Sequence, residues 1–344
     1  MYFLTKVFKD ILIYQTYFFF SKIIIFSIYR LKKRNFFVYY NRYGFGDFLY
    51  FCVHLRKKIN KNKKIFCYSQ LQYEVAKFFF DKEKIITAYL LLPKFMSESH
   101  LAYNFLLKEK KFIPTEPKRI TPDNKIIPIS EYYCGTKDSI KFIKKKINKS
   151  KISNKIINIF KKPTISIFIK TIPKQKNKNL NLQVRQTRNL NKIEKLINLL
   201  IKKKIRVLIL GKKKDYFIKL YEKILKEKIK KKIFFFKDLS SNYSISEQAY
   251  VALNSKGYIG SATGLNSFFG LLNKKHILID CVYYFSDKYY KNICFLYKKI
   301  LNKKNKTLNK FFWQTHYDPK IYKIIEVNFL EIKKALFKKF KINC

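Results

Sequence analysis

The sequence predicts an α/β protein made of two parallel-sheet domains with an apolar helix ahead of them, and three observations carry this. Short apolar, β-branched and aromatic runs alternate with stretches of helical spacing. Five of the eight prolines gather in one interval, 114–163, between two such alternating series. Each series also holds a glycine turn where a strand gives way to a helix. Alternation of this kind calls for crossover connections, so the sheets are expected to be parallel.

The first 34 residues are read as the leading helix. Positions 11–29 are largely apolar, broken by Gln15, Thr16, Ser21, Lys22 and Ser27 and followed by Arg30, Lys32, Lys33 and Arg34. That length could cross a bilayer, but a lysine near the middle makes crossing costly. A helix lying in the interface, its basic flank on anionic headgroups, is the favoured reading; a spanning helix and soluble packing are the alternatives. The first sheet domain is set at 35–155. It contains FFVYYN (36–41), a glycine turn, a helix over 47–60, KIFCYS (64–69), a helix near 70–81, IITAYLLL (85–92) and a helix near 100–111. The second, at 156–300, runs through TISIFIK (164–170), helix 189–204, IRVLILG (205–211), helix 214–230 and KIFFFKD (232–238). It continues with helix 246–254, KGYIGS (256–261), helix 265–273 and HILID (276–280). Residues 301–344 make a C-terminal helical segment, whose Lys-rich helix from about Val327 is able to pack on either domain.

The 344 residues carry 75 Lys+Arg against 22 Asp+Glu, a formal charge of +53, and 48% are hydrophobic, including 34 Phe and 26 Tyr. That much apolar surface excludes a disordered basic tail and requires a buried core. Lys, Asn, Ile, Phe and Tyr, all written with A/T-rich codons, are abundant, while only eight each of Gly, Pro and Arg occur. Much of the basicity is therefore attributed to base composition. The lysines are scattered, without an Arg/Gly tail, an RNP-like motif or a Cys/His finger, which argues against nucleic acid as a specific partner. Six cysteines form no C-x-x-C pair and four histidines show no metal-like spacing. Neither a disulfide framework nor a metal is expected, and a reducing cytoplasm fits.

Four clusters can carry chemistry. Half of the scarce glycines stand at 257, 260, 264 and 270, and Ser261, Ala262, Thr263 and Gly264 fall where a buried strand hands over to a helix. Backbone N–H groups left open there would seat a phosphate, although small residues also serve simply to make a tight turn. Arg42, Gly44, Gly46 and Asp47 lie at the carboxyl end of the first strand, the edge where open parallel sheets bind ligands. Asp47 is open to two readings, a helix cap or a general base. Arg185 and Arg188 precede helix 189–204 and offer guanidinium forks for phosphate, or are solvated loop charges. Ser244 and Glu247 fit a capping box, and Asp238 and Glu247 are candidates for nucleoside contact.

In order and placement these clusters resemble the two-domain glycosyltransferases of the GT-B fold, especially the bacterial heptosyltransferase-like enzymes, over residues 36–285. The segment Gly44-Phe45-Gly46-Asp47 resembles that family's G-x-G-D turn, and the stretch from Ser244 to Asp280 resembles the one ending in its D-T-G-x-x-H donor-phosphate motif. Ala262 stands in place of that Asp and Ser267 in place of that His, while RQTRN (185–189) resembles a segment of related surface-carbohydrate transferases. The resemblance implies two Rossmann-like domains facing across a cleft. It assigns Asp47 as catalytic base, and the place of Arg42, Gly44 and Gly46 on the same turn makes them the acceptor candidates. It assigns Arg188, Thr263 and Gly264 to the donor diphosphate, and Arg185 and Ser261 join them by their place in the same clusters. The expected activity is transfer of a sugar from a nucleotide-diphosphate donor to a lipid-linked or polysaccharide acceptor in surface-glycan synthesis. It would take place at the cytoplasmic membrane face, with no cofactor or metal. The alternatives are a catalytically silent nucleotide-sugar or glycan binder and, third, a basic nucleic-acid-binding protein.

Overall fold

The computed structural model describes residues 36–38, 45–56, 59, 63–67, 69–87, 118–120, 126–128, 133–171, 186–211, 232–240, 243–281, 291–301, 307–308 and 323–342. The expected leading helix, Arg42, Gly44, Arg185 and the helices near 100–111 and 214–230 lie outside the described residues. Among the described residues no helix is long and apolar enough to cross a membrane. The chain falls into two compact units, Met1–Phe112 and Ile113–Cys344.

The N-terminal unit holds β1 (Phe36–Val38), α1 (Phe45–Leu55), β2 (Lys64–Cys67), α2 (Gln70–Phe79) and β3 (Ile85–Thr87), with the strands parallel in the order β1-β2-β3. The helices bury the positions their spacing marks. Phe48, Leu49, Phe51, Cys52 and Leu55 of α1 and Val75, Ala76, Phe78 and Phe79 of α2 are buried, as are Ile65 and Cys67 of β2. Ser69 caps α2 by accepting from the Gln72 N–H at 3.2 Å.

The second unit opens on β4 (Lys118–Ile120) and β5 (Ile126–Pro128), an antiparallel pair in the Pro-rich interval. Next come α3 (Lys137–Asn148) and α4 (Asn154–Ile159), then β6 (Thr164–Phe168), α5 (Asn191–Lys202) and β7 (Arg206–Ile209). The chain continues through β8 (Ile233–Phe235), α6 (Phe236–Leu239), α7 (Ile245–Asn254), β9 (Gly257–Gly260), α8 (Ser267–Leu271), β10 (Lys275–Cys281) and β11 (Ile293–Tyr297). Strands β6 to β11 form one six-stranded sheet, β11-β10-β9-β6-β7-β8, in which every pairing is parallel. Every residue of β6 and β9 is buried, as the two covered faces of a parallel sheet require. Helix α5 lays Ile193, Leu196, Ile197, Leu200 and Ile201 into the core at helical spacing. The hydroxyl of Ser150, just after α3, bonds that of Ser246 in α7 at 3.0 Å, so α3 packs within this unit.

Three short strands, β12 (Lys299–Leu301), β13 (Thr307–Leu308) and β14 (Lys323–Ile325), pair antiparallel in the order β13-β12-β14, ahead of α9 (Phe329–Phe340). The expected Lys-rich helix is α9. It packs on the second unit: Ile332, Ala335, Leu336 and Phe340 are buried, and a Cβ at Gly257 would stand 2.4 Å from the Phe340 ring. Glycine at the start of β9 is thus what lets α9 lie against the sheet.

Candidate functional site

Counted from β6 as strand one, the sheet runs 3-2-1-4-5-6 from β8 to β11. Connections leave β6 toward β7 and return to β9, so the topology reverses between β6 and β9, and the crevice outside their carboxyl ends is where such sheets take nucleotides. The two strands end level, with Phe168 opposite Gly260. Gly260 has φ of 156°, and a Cβ there would lie 2.0 Å from the Phe168 carbonyl oxygen, so only glycine lets the chain turn this close to β6. The turn is then bound to the β6 exit. The Ser261 N–H donates to the Phe168 carbonyl at 2.9 Å, the Lys170 N–H donates to Ser261 Oγ at 2.8 Å, and the Tyr258 hydroxyl donates to the Ser261 carbonyl at 2.8 Å. Burial raises the Tyr258 pKa above its ordinary value, which keeps the phenol a neutral donor.

Beyond Ser261 the chain makes a single 3-10 turn, Gly264–Asn266, before α8, which is five residues long. The Thr263 N–H donates to Asn266 Oδ1 at 2.7 Å. One of the N–H groups expected to be open to a phosphate is therefore occupied within the turn, while Thr263 and Gly264 themselves are half-buried.

The segment carrying Arg188 crosses the same edge. The Thr187 N–H donates to the Lys170 carbonyl after β6 at 3.1 Å, and its hydroxyl donates to Asp280 Oδ2 near the end of β10 at 2.6 Å. Residues 186–189 are thereby held between the exits of β6 and β10, with β9 between those strands. Four charged residues that the sequence reading did not select fix this segment: Lys192, Asp280, Lys298 and Glu326. Lys192 Nζ donates to both Asp280 oxygens (2.8 and 3.1 Å), to Glu326 Oε2 (3.1 Å) and to the Val327 carbonyl (2.9 Å). The Val327 N–H returns a bond to Asp280 Oδ1 at 2.9 Å. Glu326 accepts from the Arg188 N–H at 2.6 Å and the Asn189 N–H at 3.0 Å, and Lys298 donates to the Gln186 carbonyl. Two ammonium groups face two carboxylates, so the cluster is neutral. Burial pulls the Lys298 pKa down, against the pull of Asp280 and Glu326. For Glu326 burial acts upward, but Lys298, the two N–H donors and Lys192 together hold its carboxyl below the ordinary value. Its backbone donors thus belong to Glu326, while the Arg188 side chain is exposed and able to meet an anion.

Of the remaining expected residues, Asp47 is half-buried in the first turn of α1, which begins two residues earlier, at Phe45, and takes in Gly46. A carboxylate there benefits from the helix dipole without being the residue that precedes the helix. Asp238 lies in α6, after edge strand β8, and pairs with Lys237 at 3.5 Å. Glu247 is buried and accepts from Ser240 Oγ, Ser244 Oγ and the Ser244 N–H, so the capping box is formed. Among the described residues no three His, Cys, Asp or Glu side chains are grouped to hold a metal.

No family model and no curated protein matches the chain. Among solved structures, the chain is similar to the glycosyl transferase family 9 protein from Veillonella parvula DSM 2008. The two share 7% identity at a TM-score of 0.30, over 75% of this chain and 69% of that one. It is also similar to Methanocaldococcus jannaschii UDP-GlcNAc 2-epimerase, solved with UDP-GlcNAc and UDP. Here identity is 13% at a TM-score of 0.29, over 67% of this chain and 64% of that one.

Proposed function

We propose that the protein is a glycosyltransferase that takes a sugar from a nucleotide-diphosphate donor and places it on a lipid-linked or polysaccharide acceptor. The observation that supports this most is the meeting of two elements at the topological switch point of a 3-2-1-4-5-6 sheet: the Gly260 turn and the anchored segment bearing Arg188. The donor diphosphate is assigned to Arg188 with Arg185, and to Ser261, Thr263 and Gly264. Of the two nucleoside candidates, Asp238 is the more available, because Glu247 is engaged in its helix cap.

In the reaction the acceptor oxygen attacks the anomeric carbon, the bond from that carbon to the diphosphate oxygen breaks, and the acceptor proton passes to the Asp47 carboxylate. Charge appearing on the departing diphosphate falls on Arg188, in place of a metal. Arg42, Gly44 and Gly46 are assigned to the acceptor, and residues 1–34 to the cytoplasmic membrane face where such an acceptor resides. Ala262 and Ser267, standing where the resembling family has Asp and His, favour a second reading in which the protein binds a nucleotide sugar without turning it over.

A thermal-shift screen across nucleoside diphosphates tests the donor site. A ligand at about 100 times its Kd adds about 2.7 kcal/mol of stability. No shift with any nucleoside diphosphate overturns both readings. A shift accompanied by transfer or donor hydrolysis that Asp47→Asn abolishes favours the enzyme.

A further inference from the structure

Helix α9 buries one face on the sheet and turns another to solvent. Leu330 and Phe337, seven residues apart and hence on one stripe, are 58% and 54% exposed, the highest values among the large hydrophobic side chains described. Lys334 lies on the same stripe, and Lys333, Lys338 and Lys341 border it, with the Lys341 ammonium 5.8 Å from the centre of the Phe337 ring. The single acid of the helix, Glu331, accepts from the Asn328 N–H at its cap. The outward face therefore combines two exposed apolar side chains with lysines on and beside their stripe.

We propose that this face docks on an anionic lipid bilayer, with Leu330 and Phe337 entering the headgroup boundary and the lysines meeting lipid phosphates. The charge pattern complements such a surface and opposes a second copy of the chain, which would set four lysines against four in a two-fold contact. A specific protein partner needs roughly 1,000 Å² of matched surface, more than a stripe of two side chains on one convex helix provides, whereas a bilayer yields to its shape. This surface is made of residues other than the apolar run at 11–29, and it does not depend on the transferase reading.

Phe337→Trp adds one indole to a chain whose single Trp is at position 313. The full-length variant and its parent are mixed with vesicles of phosphatidylcholine alone or with phosphatidylglycerol added. Both vesicle types carry lipids brominated near the headgroup end of the acyl chains. The variant should be quenched more than the parent on the anionic vesicles only. Adding Lys334→Glu and Lys338→Glu should raise the lipid concentration for half-maximal extra quenching by at least about tenfold. Three results overturn the proposal. One is no extra quenching, even where the protein sediments with the vesicles through another surface. Another is equal extra quenching on neutral vesicles. The third is an indole spectrum that shifts with protein concentration alone, which would mark the face as a contact between copies.

Discussion

Lys192 and Asp280 are 3% and 4% exposed, and their partnership is open to a double-mutant cycle. Lys192→Met fills a similar volume but leaves the Asp280 carboxylate with Thr187 Oγ1 and the Val327 N–H as donors and no cation bonded to it. Removing one partner of a buried pair costs about 3–5 kcal/mol, and this variant should fall in that range. Asp280→Asn should cost less, about 3 kcal/mol, because Lys192 keeps the Glu326 carboxylate at 3.1 Å. The double variant removes one charge of each sign and leaves Lys298 and Glu326, 3.7 Å apart, facing one another. It should therefore be more stable than the sum of the single losses by about 1–3 kcal/mol. Urea unfolding of the full chain followed by circular dichroism supplies the totals, and hydrogen exchange of β10 and α5 amides localises them. Additivity within about 0.5 kcal/mol, or a Lys192→Met loss below about 1 kcal/mol, would refute the account of the cluster as a coupled unit.

Three further outcomes are expected. His276 is fully buried between Tyr258 and Phe269, and burial lowers its pKa from the ordinary 6.5 to about 4, so the unfolded chain takes up its proton first. Stability should be intact above pH 6.5 and fall by about 3 kcal/mol as pH drops toward 4, and His276→Phe should flatten that slope in denaturation curves across the window. Gly260→Ala puts a methyl 2.0 Å from the Phe168 carbonyl at a left-handed φ and should cost more than about 2 kcal/mol, read as a lowered melting temperature. Arg188→Ala should weaken a nucleoside diphosphate by roughly 10- to 150-fold by calorimetry while leaving the nucleoside nearly unchanged. Lys203→Ala, at the far end of α5, serves as the charge control, and equal losses in both variants would leave only a diffuse field.

What could be read from the sequence was what is local to it. The Ser244–Glu247 capping box, the helices at 70–79 and 191–202 and the buried strands at 164–168 and 257–260 each carry their signal within a few residues, and each formed. Alternation also gave the parallel pairing, but not the strand order, because which strand lies beside β6 depends on crossovers that no window of residues contains. The cluster escaped for the same reason. Lys192, Asp280, Lys298 and Glu326 are far apart in sequence, and in so basic a chain no single lysine draws notice. Asp280 offered the one faint hint, an acid closing the apolar run HILID at a strand's carboxyl end. The strands β12 to β14 are two or three residues long, too short for a period to register.

Glu326 reaches back 138 residues to hold the Arg188 N–H. A chain emerging from the ribosome can lay β6, β7, β8 and β9 side by side and close the Gly260 turn well before position 326 is made. Until then the arginine segment lacks its far anchor, and loop closure over that span comes after the sheet strands are made. Nascent chains halted between β11 and β14 should therefore present a folded sheet with the arginine segment tied through Gln186 and Thr187 but more readily cut beside Arg188, and should gain full protection when Glu326 arrives.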